Sequence, residues 1–347
     1  MPDNILKQGR NYPDLHDFNR SNPFGSNHFN LIGPYLKHRF GCRVVKLSLN
    51  AGFTCPNRDG TKGRGGCIFC SADGSGQYAS NIPDQIRLLA DKWPDSKYIA
   101  YFQSHTNTYA PADTLRCLFD DALSRPDVIG LAVATRPDCL PPDVLSLLEE
   151  YNQKTYLWVE LGLQTIHDRT AERLNRCYPF SVFSQAMAAL SERGIRTVVH
   201  LILGLPWENR TMMLESAARV GSFHPFGMKL HLLHVLRQTP LETLYKESFP
   251  DLSPAAAKAA ETAQDCPFWH IFSRSEYTGL VADILETLPP DITIHRVTGD
   301  APRNELIAPI WSADKRAVLN GIQKELKHRE SWQGKFYLPP AKHSPRA

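Results

Sequence analysis

Six short runs rich in β-branched and other apolar residues, VVKLSLN, YIAYFQ, VIGLAVAT, TYLWVELGL, TVVHLILGL and MKLHLLHVL, recur with amphipathic stretches between them. Such runs suit strands buried on both faces. In ADTLRCLFDDAL, Leu115, Leu118, Phe119 and Ala122 fall on one helical face; PDVLSLLEEYN repeats the pattern, and SVFSQAMAALSERG ends on Gly194, a helix C-cap position. Near-continuous apolar strands joined by helices require a parallel sheet covered by helices, doubly wound or curled into a barrel. Six strands fall short of the eight of a closed barrel. In either arrangement reactive side chains come from the C-terminal ends of the strands.

Beyond about residue 240 the pattern changes. SPAAAKAAETAQ and EYTGLVADILET read as helical, DITIHRVTG as one more strand, and DKRAVLNGIQKELKHR as a basic amphipathic helix. The expected organisation is an N-terminal extension over 1–40, a core over 41–245, a C-terminal extension over 246–335 packed on the core, and a disordered tail over 336–347. From Lys315 onward Arg316, Lys324, Lys327, Arg329, Lys335, Lys342 and Arg346 join it to outnumber Glu325 and Glu330, which is either a solvated helix face or a nucleic-acid contact. A net charge of +3 announces no nucleic-acid or membrane partner by itself. The polar start lacks a secretory core, and no segment reaches the roughly 18 apolar residues of a membrane span. The expected location is the cytosol, with no membrane partner. There thiols stay reduced, so the eight cysteines do not read as a disulfide framework.

Three of them stand together in CPNRDGTKGRGGCIFC, immediately after the first strand: Cys55, Cys67 and Cys70. A structural zinc would need a fourth ligand, Cys42 or a distant histidine. An iron–sulfur cubane held by three cysteines would leave one iron open to a small chelating molecule. Glycines around the cysteines let the backbone wrap a cluster and offer N–H groups to its sulfides.

The loop, with Phe69 just before its last cysteine, resembles the cluster-binding motif of the radical SAM superfamily. The resemblance implies a [4Fe-4S] cluster on the three cysteines, S-adenosylmethionine (SAM) on the fourth iron, and a (β/α)6 partial TIM barrel, here with a C-terminal α/β extension. The eleven residues between Cys55 and Cys67, where three are commonest, resemble a narrower branch, that of the catalytic subunit of Elongator. ATRPD (Ala134 to Asp138), VELGLQT (Val159 to Thr165), LNRCYPF (Leu174 to Phe180), HLILGLP (His200 to Pro206), MKLHLLHVLRQTPL (Met228 to Leu241) and IHRVTGDAP look like further blocks of that branch. Over nearly its full length the chain is similar to small bacterial members, and its tail is too short for an acetyltransferase domain.

By this resemblance the adenine of SAM lies near Phe69, and Glu160 with Gln164 accept from the ribose hydroxyls. The alternative for Glu160 is an ion pair with Arg136 or another base. In FQSHTNTY, where relatives carry a glycine pair and an acid, Gln103 and Thr106 stand among the polar groups that would hold the methionyl amine. Thr135 and Arg136 could reach the methionine carboxylate or a substrate phosphate, or Arg136 could be held in an internal ion pair. Gly204 and Glu208 lie in a loop expected close to SAM, and His200 projects from the strand before it. Lys229 and His231 share one strand face by alternation. Candidate catalytic residues are Cys177 and Tyr178, as hydrogen-atom donors, and Lys229, as a substrate contact. The implied activity is that of a radical SAM enzyme reduced by a reductase, a flavodoxin or a ferredoxin. It would modify tRNA at the C5 substituent of the wobble uridine; the alternatives are a small-metabolite substrate, or a non-catalytic metal-binding module for RNA binding or electron transfer.

Overall fold

The computed structural model describes residues 20–74, 76, 78–250 and 264–339. Each of the six apolar runs is a strand: β1 (Val44–Leu49), β2 (Lys97–Phe102), β3 (Val128–Thr135), β4 (Tyr156–Gln164), β5 (Arg196–Leu203) and β6 (Gly227–Leu232). They pair in parallel in chain order. β2 and β3 are buried almost throughout, as expected of strands covered on both faces. Helices α1 (Ile32–Phe40), α2 (Ile82–Ala90), α3 (Ala112–Leu123), α4 (Pro142–Lys154), α5 (Asp168–Arg173), α6 (Phe180–Glu192) and α7 (Arg210–Gly221) precede or connect them. Leu115, Phe119 and Ala122 of α3 are buried, and Gly194, with φ +62°, lies just past α6 in the left-handed region.

The parallel sheet does not stop at residue 245. The segment DITIHRVTG forms β10 (Thr293–Arg296), which pairs in parallel with β6 as a seventh strand, its register shifting between Ile294 and Arg296. Two short antiparallel pairs lie outside the sheet: β7 (Val235–Leu236) with β11 (Leu306–Ala308), and β8 (Gln264–Cys266) with β9 (Trp269–Ile271). Among the described residues three further helices follow β7: α8 (Pro240–Ser248), α9 (Arg274–Thr287) and α10 (Lys315–His328). The expected helix SPAAAKAAETAQ lies, except for its last residue, outside the described residues; that residue, Gln264, begins β8. The N-terminal extension is described from residue 20. Of the expected tail, Phe336 donates its backbone N–H to the Glu286 carbonyl and Tyr337 packs against His224; residues 340–347 lie outside the described residues.

The concave side of the sheet is layered. At its base, Leu36 of α1 packs with Tyr156, Trp158, Ala132 and Val198, and Tyr35 and Phe226 join them. This apolar plug closes the N-terminal end of the half-barrel. Polar and charged side chains begin above it.

Candidate active site

Cys55, Cys67 and Cys70 border one cavity of about 300 Å³ at the C-terminal ends of the strands. Their loop is shaped by local bonds: the Arg58 and Asp59 N–H groups donate to the Cys55 carbonyl, and Cys70 N–H donates to the Cys67 carbonyl at 2.9 Å. Gly65 and Gly66 have φ of +77° and +79°, a pair of left-handed residues that a β-carbon would strain. The eleven inserted residues are tied to the LNRCYPF segment. Asn175 Nδ2 donates to the carbonyls of Arg64 and Gly66 at 3.0 and 2.8 Å, and Asn57 Nδ2 donates to the Asn175 carbonyl. Ile68 N–H donates to Leu174 O and its carbonyl accepts from Leu241 N–H, so the last turn is stitched to two further blocks.

Cys67 and Cys70 sit in a protein environment that disfavours their thiolate charge. Burial pushes Cys67 up to about 12 and also raises Cys70, against the opposing fields of Arg136 and Arg58 respectively. Asn57 Nδ2 lies 3.6 Å from Cys67 Sγ as a donor, and Asn57 Oδ1 is buried without a hydrogen-bond partner. A cationic iron centre would supply the charge that draws these thiols into the thiolate form. Among the described residues no three His, Cys, Asp or Glu side chains are grouped to hold a single metal ion. Three soft sulfur donors spread along one cavity wall suit a multi-iron cluster, so the residues present fit the group.

Beneath the cysteine loop lies a charged layer centred on Glu160, which is fully buried in β4. Its Oε1 accepts from Trp158 Nε1 at 3.0 Å and lies 3.8 Å from Lys46 Nζ. Its Oε2 pairs with Lys229 and with His200 Nε2, the latter at 2.8 Å. Lys229, itself buried, also donates to the Tyr101 hydroxyl at 2.9 Å. The partner of Glu160 is therefore the Lys229–Lys46 pair and not Arg136, which is held by both oxygens of Asp138 at 2.9 Å each. Burial, opposed by Glu160, lowers Lys229 to about 7. Burial, with the field of Lys229, lowers His200 to about 4. Glu160 overcomes its own burial because both lysines and His200 hold it well below the usual carboxylate range.

These shifts fix a sign. Lys229 and His200 bind fewer protons folded than unfolded, so between about pH 4 and pH 6.5 for the histidine, and from about 7 to 10 for the lysine, stability rises with pH. Glu160 acts in the same direction, because its contribution is present above its unfolded pKa and lost as pH falls. Urea midpoints are expected to climb from pH 4 upward, and His200→Gln should flatten the part below about pH 6.5. Equal slopes for wild type and variant over that window would contradict the assignment.

The other expected residues divide. Phe69, Gln103, Thr106, Thr135, Arg136, Gln164 and Tyr178 border the same cavity as the cysteines, with His200, Lys229 and Glu160. Gln164 ends β4 with φ +67°, which turns the chain away at the cavity rim. Tyr178 lies between two guanidinium groups, Arg136 at 4.9 Å and Arg176 at 4.4 Å from its ring, and its hydroxyl donates to the Gly162 carbonyl. Cys177, Gly204 and Glu208 do not border it. Cys177 is exposed, with its thiol against Asn175. The Gly204 carbonyl accepts from Trp269 Nε1 at 3.1 Å, and Glu208 is buried with Thr165 Oγ1 as donor. Of the GLPWE loop, the Gly204 backbone and the Glu208 side chain are thus engaged in packing outside the cavity lining. Lys46, Tyr101 and Arg296 carried no sequence signal beyond strand alternation, and only the curl of the sheet brings them in; Asn57 lies in the cysteine loop itself.

Comparison with known proteins places this geometry. Residues 55–220 match the family model described as the Radical SAM superfamily, and residues 265–328 match the Radical_SAM C-terminal domain. The Bacillus subtilis protein YtqA is 43% identical over 330 residues, which cover 92% of this chain and 97% of YtqA. A tRNA uridine(34) acetyltransferase from Dehalococcoides mccartyi is 27% identical over 205 residues, 58% of this chain and 39% of that protein. Among solved structures, the Methanocaldococcus infernus Elp3 with an N-terminal deletion superposes with a TM-score of 0.60 at 16% identity, over 84% of this chain and 64% of that one. That last likeness is one of fold. Among the described residues no helix is long and apolar enough to cross a membrane.

Proposed function

Since the chain belongs to the radical SAM superfamily, we propose that it is an enzyme that carries a [4Fe-4S] cluster on Cys55, Cys67 and Cys70 and modifies tRNA at the C5 substituent of the wobble uridine. The observation that carries the chemistry is the meeting of those three thiols on one cavity above a charged layer. A [4Fe-4S] cluster held by Cys55, Cys67 and Cys70 would supply the one-electron reduction of SAM on which radical chemistry depends.

The chain's own residues do the rest. Phe69 offers an aromatic wall for the adenine, and Gln103 and Thr106 offer neutral polar groups for the methionyl end. The carboxylate of Glu160 is already occupied by Lys229, His200 and Trp158, so we assign the ribose contact to Gln164 and give Glu160 the holding of Lys229. Arg136, fixed by Asp138, positions Tyr178 at the cavity edge. The apolar plug and the stitched cysteine loop exclude water from below and above.

The tRNA substrate is supported by the partial likeness to the tRNA uridine(34) acetyltransferase and by the basic helix α10. Not every base on that helix is available. Arg329 is held by Glu325, Asp283 and Glu286, and Lys315 by Asp300. Arg316, Lys324 and Lys327 are exposed, and the helix starts beside Asp300, which borders the cavity. Changing those three to alanine is expected to weaken tRNA binding and to reduce the slope of log affinity against log salt by about 2–3. An unchanged slope in a filter-binding titration would take this face out of the interface. The decisive assay is anaerobic: 5′-deoxyadenosine formed by reconstituted, reduced protein with SAM, and its stimulation by tRNA over small metabolites.

A further inference from the structure

The charged layer below the cysteines holds more cations than its carboxylates balance. Glu160 is shared by Lys229 and Lys46, whose Nζ atoms both lie 4.8 Å from the centre of the Tyr101 ring. The second carboxylate, Asp300, is shared by Arg296 and Lys315. Twice, then, two cations meet one carboxylate. Lys229, Arg296 and Asp300 all border the cavity. His231 borders it as well, its ring centroid 5.3 Å from that of His200, and its Nε2 is buried without a hydrogen-bond partner among the described residues. Lys229 and Arg296, each sharing its carboxylate with a second cation, thus border the cavity beside an orphaned imidazole nitrogen, an arrangement that binding a negative group would complete.

We propose that the half-barrel contains an anion subsite formed by Lys229, His231 and Arg296, in which a carboxylate or phosphate of the substrate is held beneath the SAM site. The inference rests on the radical SAM reading for its orientation, since the cysteine loop marks where SAM enters. The lysine and the imidazole supply N–H donors, and Arg296 on β10 supplies a third cation from the strand that follows β6 in the sheet. The groups facing Lys229 are Lys46 from β1, Tyr101 from β2, Glu160 from β4, His200 from β5, His231 from its own strand, and His295 and Arg296 from β10. Without an anion, Lys229 at about 7 sheds its proton above neutrality and relieves the excess charge. With an anion it keeps the proton, so binding takes up a proton and weakens as pH rises.

The test is isothermal titration of sodium acetate and, separately, of inorganic phosphate into anaerobically reconstituted holoprotein saturated with SAM, at constant ionic strength, at pH 6.0 and pH 8.5. Saturable binding is expected at pH 6.0, where Lys229 already holds its proton, and roughly thirtyfold weaker acetate binding at pH 8.5, where binding takes up nearly one proton and shows a buffer-dependent heat. Preference for acetate identifies a carboxylate substrate group, and preference for phosphate a phosphoryl group. Lys229→Gln should abolish the binding. If that variant does not fold, Arg296→Gln, on the other shared carboxylate, should weaken it severalfold. Absence of saturable binding with both anions overturns the proposal, as does binding unaffected by either variant. Binding that appears only without SAM also overturns it, because the subsite would then belong to the methionine carboxylate. SAM cleavage is assayed in the same preparations: normal 5′-deoxyadenosine formation with no anion binding sinks this inference alone, whereas a protein that takes up no cluster sinks the functional reading beneath it.

Discussion

A Cys70→Ala protein, treated with iron and sulfide and reduced under the same conditions as wild type, is expected to release 5′-deoxyadenosine only at background. The reason is ligand count. Three protein thiols leave one iron for SAM; with two, a second iron is open and the cluster loses both its redox environment and its grip on the wall. The fold should survive, because the loop is held by bonds that do not use the thiol: Arg58 to the Cys70 carbonyl at 3.1 Å, Asn175 to the Arg64 and Gly66 carbonyls, and Ile68 to Leu174. A thermal midpoint close to wild type together with lost iron and lost product is the expected pattern. Undiminished product from Cys70→Ala would remove the cysteine from the ligand set. Bound zinc in the wild type, with no iron after reconstitution, would return the loop to a structural role.

The second large effect is expected at Glu160. Replacing it by glutamine keeps the shape of the side chain and removes its charge, which leaves Lys229 and Lys46 facing each other across Tyr101 with no counter-charge. Breaking a buried pair by removing one partner costs about 3–5 kcal/mol. Lys229→Met should cost less, since Glu160 retains Lys46 and His200. The double variant Glu160→Leu with Lys229→Met should recover much of the loss, because apolar groups of similar size spare the desolvation of both charges. Urea unfolding of these proteins together with Glu160→Leu alone closes the cycle and measures the coupling directly. A Glu160→Gln protein within about 1 kcal/mol of wild type would show that the layer is not held by this carboxylate.

Much of the cavity lining could be read before the fold was known, for reasons particular to each part. The cysteine loop is legible because its chemistry is local in sequence: three thiols and several glycines after an apolar strand are confined to one strand end whatever the rest of the sheet does. Gln103, Thr106, Thr135 and Gln164 follow the same rule, each at or just after the C-terminal end of a strand. Cys177 shows where that rule fails. Its segment reaches the cysteine loop through Asn175, and its own exposed thiol abuts Gly63 of that loop without bordering the cavity. Glu208 fails likewise, because its carboxylate turns to Thr165 behind the loop.

What the sequence determined by itself is therefore the alternation of buried strands and amphipathic helices, and the end of the sheet at which the three thiols of the cysteine loop lie. These follow from periodicity and from residue types close together along the chain. The tertiary structure decided that DITIHRVTG extends the parallel sheet as a seventh strand, that Glu160 pairs with Lys229 and Lys46, and that Tyr101, His231 and Arg296 meet them in one layer. Alternation says only which face of its own strand a side chain occupies. Which side chains from β1, β2, β4, β5, β6 and β10 share a level depends on inter-strand register and on the curl of the sheet, and both are set by packing between segments as far apart in the chain as Lys46 and Arg296.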